Sequence, residues 1–266
     1  MALAALTAPV RAAAAVRGDD DDGVRLPAVM YHHISADPAR SNDYVITPAD
    51  FEADLRWLSD NGYESVSVSE LLAWERGEAE LPAKPVLLTF DDAQLSFMLY
   101  ALPLLERYDM CAVVAVVGAY ADEYSANGDM NPAYAYMTWS DVAAAAETGR
   151  VEIASHTQDM HSIGRGRAGC RINPGEGAAE YKRALNADLA AVEASIASAT
   201  GSKPHIFAYP YGFDCAEAAE VLAERGYDAA FTCAERVNVL RRDAGELMTI
   251  ARFNRASGRP VSSMPL

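Results

Sequence analysis

From residue 24 onward, short apolar runs rich in β-branched residues alternate with helix-patterned segments, and this alternation constrains the fold more than any other feature. "LPAVMYHHI", "AKPVLLTFDD", "CAVVAVVG", "RVEIASH", "HIFAYPYG", "YDAAFTC" and "LMTIARFN" read as strands, with "YESVSVSE" a further one. Runs that stay apolar at consecutive positions are buried on both faces, as in parallel sheets covered by helices. The segments between them carry helix punctuation. "TPADFEADLRWLSDNG" has Thr47 as N-cap, Pro48 at the first helical position and Gly62 as a stop. "WSDVAAAAETG" is capped by Ser140 and stopped by Gly149, and "AAEYKRALNADLAAVEASIASATG" and "CAEAAEVLAERG" are further helices. "LSFMLYALPLLERY" is helical with a break or kink at Pro103. The expectation is one α/β domain over residues 24–266, a barrel or an open sheet, with no repeat and no mid-chain linker.

The polar residues of interest sit where strands end: His32 and His33, Asp91 and Asp92, His156, Tyr209 to Tyr211, and Arg252. In parallel α/β folds the carboxyl ends of the strands share one functional face. Asp91 and Asp92 are adjacent like charges, each raising the cost of ionising the other unless a cation or a donor network absorbs the charge. Helix capping by Asp92, ahead of "AQLSFMLYALPLL", accounts for one of the two. A metal ligand beside a general base accounts for both. His156 and His161, five apart in "IASHTQDMHSI", share a metal only if the chain turns into a loop after His156. A two-His, one-Asp metal site is the expectation.

Charge narrows the partners. With 22 Lys+Arg against 38 Asp+Glu the net charge is −16, which disfavours nucleic acid and anionic membrane surfaces and favours a neutral or cationic substrate. The first 23 residues, "MALAALTAPVRAAAAVRGDDDDG", read as a signal-like leader and an acidic linker, hence an exported protein, secreted or associated with the cell envelope. Cys111, Cys170, Cys215 and Cys233 form no CxxC pair, which argues against a zinc ribbon. Export would permit one or two disulfides among them, and Cys111 reads as a small buried hydrophobe. "GRGRAG", Gly164 to Gly169, fits a dinucleotide fingerprint, but it follows a histidine loop instead of a strand, with Pro174 just beyond it where a helix should run, so it reads as a mobile loop. No GxSxG, HExxH or P-loop is present, which leaves serine hydrolases, zincins and nucleotide enzymes without support.

"LTFDDA", "SHTQDMH", "FAYPYG" and "LMTIARFN", in that order, resemble the successive motifs of the NodB-homology polysaccharide deacetylases, carbohydrate esterase family four. The resemblance runs from about "AVMYHHI" to "ARFN". It implies a single distorted (β/α) barrel holding one divalent metal, usually zinc, with Co2+, Ni2+ or Mn2+ as alternatives, and removing acetyl groups from N- or O-acetylated glycans. By motif position Asp92, His156 and His161 would be the metal ligands and Asp91 the general base. A metal-acidified water would give its proton to Asp91 and attack the acetyl carbonyl, with the Tyr211 N–H helping to hold the oxyanion. The late acid histidine of many members is missing here. "YH" near the N-terminus instead resembles the biofilm-type poly-N-acetylglucosamine deacetylases, which points to His32 as the acid, with His33 second. Two departures stand out. Ala93 takes the place of a usual Gly, at a cost of roughly 1 kcal/mol or more if φ is positive there. Ala208 takes the place of an Arg that orients the base, a role the resemblance passes to Arg252. Trp139, Tyr209, Tyr211 and Phe213 are candidates to line a sugar groove.

The resulting expectation is a deacetylase acting on N-acetylglucosamine-containing polymer, peptidoglycan or exopolysaccharide, with no protein partner implied. A non-catalytic glycan-binding relative, and an O-acetyl-xylan esterase or small-molecule amidohydrolase of the same fold, stay open as alternatives.

Overall fold

The computed structural model describes residues 23–164, 166–242 and 245–266. The leader therefore lies outside the described residues, apart from Gly23, and so does Arg165 of the "GRGRAG" segment. In chain order the elements are β1 (Val24–Leu26), β2 (Ala28–Tyr31), β3 (His33–Ile34), β4 (Val45–Ile46), α1 (Pro48–Asp60), β5 (Glu64–Ser65), α2 (Val68–Glu75) and β6 (Pro85–Phe90). A π turn at Phe97–Ala101 leads into α3 (Leu102–Arg107), followed by β7 (Ala112–Val116), α4 (Gly118–Asn127), α5 (Trp139–Glu147) and β8 (Val151–Ser155). The chain closes with α6 (Ala178–Thr200), β9 (Ile206–Ala208), α7 (Ala216–Arg225), β10 (Ala229–Phe231), β11 (Asn238–Leu240) and β12 (Phe253–Asn254).

The main sheet runs β10-β9-β8-β7-β6-β2-β12, every neighbour parallel, with β5 beside the start of β6. It curls into a distorted (β/α) barrel, the form implied by the family resemblance. The gap between β10 and β12 is spanned by residues 249–252: Ile250 bridges Phe231, and the Thr232 N–H donates to the Ile250 carbonyl at 2.8 Å. Alternate strand residues face inward, many of them small, including Ala28, Ala115, Ala154, Ala208 and Ala229. The small inner side chains leave the interior wide enough for the fully buried side chain of Arg252. The outward residues, among them Val29, Leu88, Phe90 and Val114, pack beneath the helices with Phe51, Leu55, Leu185 and Leu189.

Local chemistry corrects several sequence expectations. "YESVSVSE" is strand only at Glu64–Ser65, because Ser67 and Glu70 form a capping box that starts α2. The cap of α5 is Thr138, in a capping box with Asp141, and Ser140 lies inside the helix. "LMTIARFN" is a 3-10 turn at Glu246–Thr249 and two residues of strand, so Arg252 precedes β12 and does not stand at a carboxyl end. Asp92 caps no helix, since the helical segment begins only at Phe97. Pro103 sits at the start of α3, directly after the π turn; Ala101 and Leu102 are both right-handed helical and the Leu102 N–H donates to the Phe97 carbonyl, so the residue marks a change of helix type and not a break. All four cysteines are free thiols. No helix among the described residues is long and apolar enough to cross a membrane.

Candidate active site

The carboxyl ends of β2, β6, β8 and β9 build the site. Leu87, Thr89 and Asp91 share the inner face of β6, and the Asp91 N–H donates to the Tyr31 carbonyl at 3.0 Å, extending the ladder by one residue. The chain then turns sharply, with φ of 70° at Asp92 and 51° at Ala93. Thr157 (72°) and Tyr211 (59°) are also left-handed, so four of the five such non-glycine residues described surround this site. Backbone strain concentrated in this way marks a place where side-chain direction outweighs local stability.

Asp91 is 4% exposed and is gripped by Arg252, whose Nη1 and Nη2 donate to its two oxygens at 2.6 and 2.8 Å. Arg252 also donates to the Thr232 carbonyl at 3.1 Å and to Thr89 Oγ1 at 3.2 Å. Burial alone would raise the Asp91 carboxyl, but the charges of Arg252, His156 and His32 overcome this and hold it well below the usual carboxylate range. Asp92 has no such partner. Burial, with Asp91 beside it and against the pull of His32, pushes it up to about 6.

His156 Nδ1 lies 2.7 Å from the Ala208 carbonyl. A carbonyl only accepts, so Nδ1 carries the proton and Nε2 presents its lone pair, 3.6 Å from Asp92 Oδ1. Burial drives the His156 imidazole down to about 3, which keeps it neutral. His161 Nε2 stands 3.2 Å from the same oxygen, and its Nδ1 is 3.4 Å from both the Tyr120 and Tyr211 hydroxyls. The Asp92 Oδ1 atom is buried without a hydrogen-bond donor. Three acceptors thus converge with their ligand atoms within 4.8 Å of one another. Zinc bonds of 2.0–2.2 Å in a tetrahedron place neighbouring ligand atoms about 3.4 Å apart. The separations of 3.2 and 3.6 Å fit that, so the donor set suits a divalent cation.

The structure places the remaining candidates unequally. His32 is half-buried, its Nδ1 has no hydrogen-bond partner, and its ring sits edge-on to Tyr44 with centroids 5.0 Å apart. His33 is buried, its Nδ1 is 3.2 Å from Ser96 Oγ, and desolvation lowers its pKa, as for a packed strand-end histidine. Tyr209, expected in the groove, is 2% exposed and packs on Phe207 in the core, because the residue after β9 still follows the outward face. The Trp139 indole donates to Asp122 at 2.7 Å, and Asp122 accepts from Gln158 at 2.7 Å, so Trp139 is linked to the histidine loop through two other side chains. Phe213 lies beside Tyr211 at 5.9 Å, beneath the Arg171 guanidinium. Arg167 is held by Glu176 and covers Tyr181, so this arginine is braced and not part of a mobile loop.

Sequence reasoning missed Asp188. From α6 its two oxygens accept the Gln158 and Asp159 N–H groups at 2.7 and 2.8 Å, while the Gly118 and Ala119 N–H groups donate to the carbonyls of Thr157 and Gln158. The turn that the two histidines require is therefore clamped from both sides. Asp188 had a signal: it falls on the apolar row Leu185, Leu189 and Val192, where an acid needs a reason.

The polysaccharide deacetylase family model matches residues 78–230. The chain belongs to the polysaccharide deacetylase family. The matched span contains Asp91, Asp92, His156, His161 and Tyr211, whereas His32 and Arg252 lie outside it and reach the site through β2 and the barrel closure. It is 30% identical over 224 residues to a poly-beta-1,6-N-acetyl-D-glucosamine N-deacetylase of Escherichia coli K12, covering 77% of this chain and 33% of that one. The chain thus spans about a third of the length of that relative. Among solved structures, a de-N-acetylase from Aggregatibacter actinomycetemcomitans superposes with a TM-score of 0.79 at 27% identity, over 90% of this chain and 98% of the other. IcaB from Ammonifex degensii shares the fold with a TM-score of 0.72 at 24% identity, over 90% and 94%.

Proposed function

We propose that this polysaccharide deacetylase is a metal-dependent hydrolase that removes acetyl groups from an N-acetylglucosamine polymer, an exopolysaccharide or peptidoglycan. The observation that carries the reading is the pairing of a carboxylate held in its ionised form, Asp91 on Arg252, with an adjacent convergence of three acceptors, Asp92, His156 and His161. The activities for which the Escherichia coli relative and the Aggregatibacter neighbour are named support the same chemistry. When bound by those three residues, a divalent metal, zinc by preference, supplies Lewis acidity that makes a nucleophile available near neutral pH. Asp91 takes the nucleophile's proton, and Arg252 fixes the direction of the carboxylate that receives it. His32, beside the two aspartates and with an uncommitted ring nitrogen, protonates the leaving amine. The left-handed Tyr211 presents its N–H to the developing oxyanion. Such polymers lie outside the cytoplasm, which agrees with the leader-like composition of the first 23 residues and an exported location.

The test is elemental analysis of wild type and Asp92→Ala, with acetate release from an N-acetylglucosamine oligomer. Near-stoichiometric metal that the variant loses, and acetate release that Asp91→Asn abolishes, are expected. Bound metal without acetate release from N- or O-acetylated glycans would replace the reading with a glycan-binding relative; no metal after supplementation would remove the site.

A further inference from the structure

Asp92 and His161 come from different loops, one after β6 and the other after β8, with β7, α4, α5 and β8 between them in the chain. A bridge of tyrosines joins those loops outside the site itself. Directly after Asp92 the chain pairs with the segment before α5. The Met137 N–H donates to the Ala93 carbonyl and the Leu95 N–H to the Ala135 carbonyl, both at 2.8 Å, with Gln94 bridged to Tyr136. Ala93, Ala135 and Met137 are buried, so this short ladder fixes where Tyr136 stands relative to the Asp92 turn. On α4, Tyr120 and Tyr124 are four residues apart and share a face. Tyr136 lies against both, its ring centroid 4.4 Å from that of Tyr120 and 5.5 Å from that of Tyr124.

Tyr120 carries the bridge to the histidine. Its hydroxyl lies 3.4 Å from His161 Nδ1 and 3.4 Å from the His161 carbonyl, so one group meets both the ring and the backbone of the same residue. The carbonyl only accepts, so the hydroxyl proton goes to it and the hydroxyl oxygen is left to accept from Nδ1–H. That assignment fixes the tautomer. Nε2 keeps its lone pair, and it is Nε2 that stands 3.2 Å from Asp92 Oδ1. Resting on the metal-dependent reading, we infer that Tyr120 is a positioning residue: with Tyr136 it links the Asp92 turn to the ring and backbone of His161, so that ligands from two loops are aligned before a metal binds. A phenylalanine at 120 would pack on Tyr136 equally well. The hydroxyl is what orients the imidazole, and groups that hold the outer nitrogen of a ligating histidine are commonly worth about 10–100-fold in metal affinity.

The test compares wild type, Tyr120→Phe and Tyr120→Ala. Tyr120→Phe is also made in a Tyr211→Phe background, because the Tyr211 hydroxyl lies 3.4 Å from the same Nδ1. Zinc affinity is read by competition with a chromophoric chelator, and deuterium uptake over residues 157–163 by mass spectrometry on the metal-free protein. In Tyr120→Phe the zinc Kd rises about tenfold, the low end of that range because both bonds are long. Uptake over 157–163 rises, and the melting temperature of the metal-free protein stays within about 2 °C of wild type. Tyr120→Ala loses the contact with Tyr136 as well, so its affinity and its melting temperature both fall. A Kd unchanged in both backgrounds would overturn the inference. A melting temperature that falls as far in Tyr120→Phe as in Tyr120→Ala would make Tyr120 a packing residue and overturn it too. If wild type bound no zinc, the metal-dependent reading would fall, while uptake over 157–163 in the metal-free protein would still decide whether Tyr120 holds His161.

Discussion

Replacing Arg252 by Met tests the centre of the site directly. The guanidinium is fully buried and makes two bonds to Asp91 and one each to Thr232 and Thr89. Met fills a similar volume but leaves Asp91 buried and ionised without its partner, which costs about 3–5 kcal/mol. At about 2–4 °C per kcal/mol for a chain of this length, the melting temperature falls by about 6–20 °C. Arg252→Lys keeps the charge, yet one ammonium cannot span two carboxylate oxygens and reach both threonines, so its loss is about 1.5–3 kcal/mol. Urea unfolding followed by tryptophan fluorescence measures both. Acetate release by Arg252→Met falls about 10²-fold or more, because the base loses its direction. If Arg252→Met unfolded within about 1 kcal/mol of wild type, the argument that this pair carries a buried charge would fail.

Ala93→Gly addresses the departure at the motif. It removes a left-handed penalty of about 1–2 kcal/mol but adds about 0.5–1 kcal/mol of chain entropy and gives up a buried methyl worth about 0.8 kcal/mol. The net change is within about 1 kcal/mol of zero, and a gain above about 2 kcal/mol in urea unfolding would show that Ala93 imposes real strain. Asp188→Asn sets an amide where two N–H groups point, so metal affinity falls about 10–100-fold in competition with a chromophoric chelator; unchanged affinity would make Asp188 a packing residue only. Glu193 accepts from Arg225 at 2.6 and 2.7 Å and from Lys203 at 2.8 Å; burial alone would raise its carboxyl, but these bonds hold it below the usual range. Its contribution is thus complete above an unfolded pKa of about 4.3 and is lost as pH falls through the lower folded value. Stability between about pH 5 and 3 drops more steeply in wild type than in Glu193→Gln, and parallel curves would refute this.

The strands and the site differ in how much of them a sequence carries. An apolar run such as "VLLTF", alternating with helix-patterned segments, suits a strand covered on both faces, so a parallel α/β sheet and the strand ends at Asp91 and His156 were readable directly, while its closure into a barrel came from the family resemblance. Capping boxes were readable too, yet Ser67–Glu70 and Thr138–Asp141 were overlooked because the apolar pattern beside them drew the boundary. What periodicity cannot carry is direction. Tyr209 and Tyr211 are two apart, which on a strand gives one face, but Tyr209 turns into the core and a left-handed residue turns Tyr211 into the site. Arg252 shows the same limit from the other side. Its position in the chain precedes a strand, and only the closure of the barrel by residues 249–252, together with small inward side chains such as Ala154 and Ala208, lets a side chain of that length reach Asp91 from beneath. Ala208 suits this arrangement: its own backbone carbonyl holds His156 Nδ1 at 2.7 Å whatever the side chain, and its methyl leaves the interior open for Arg252 to bring the charge to Asp91.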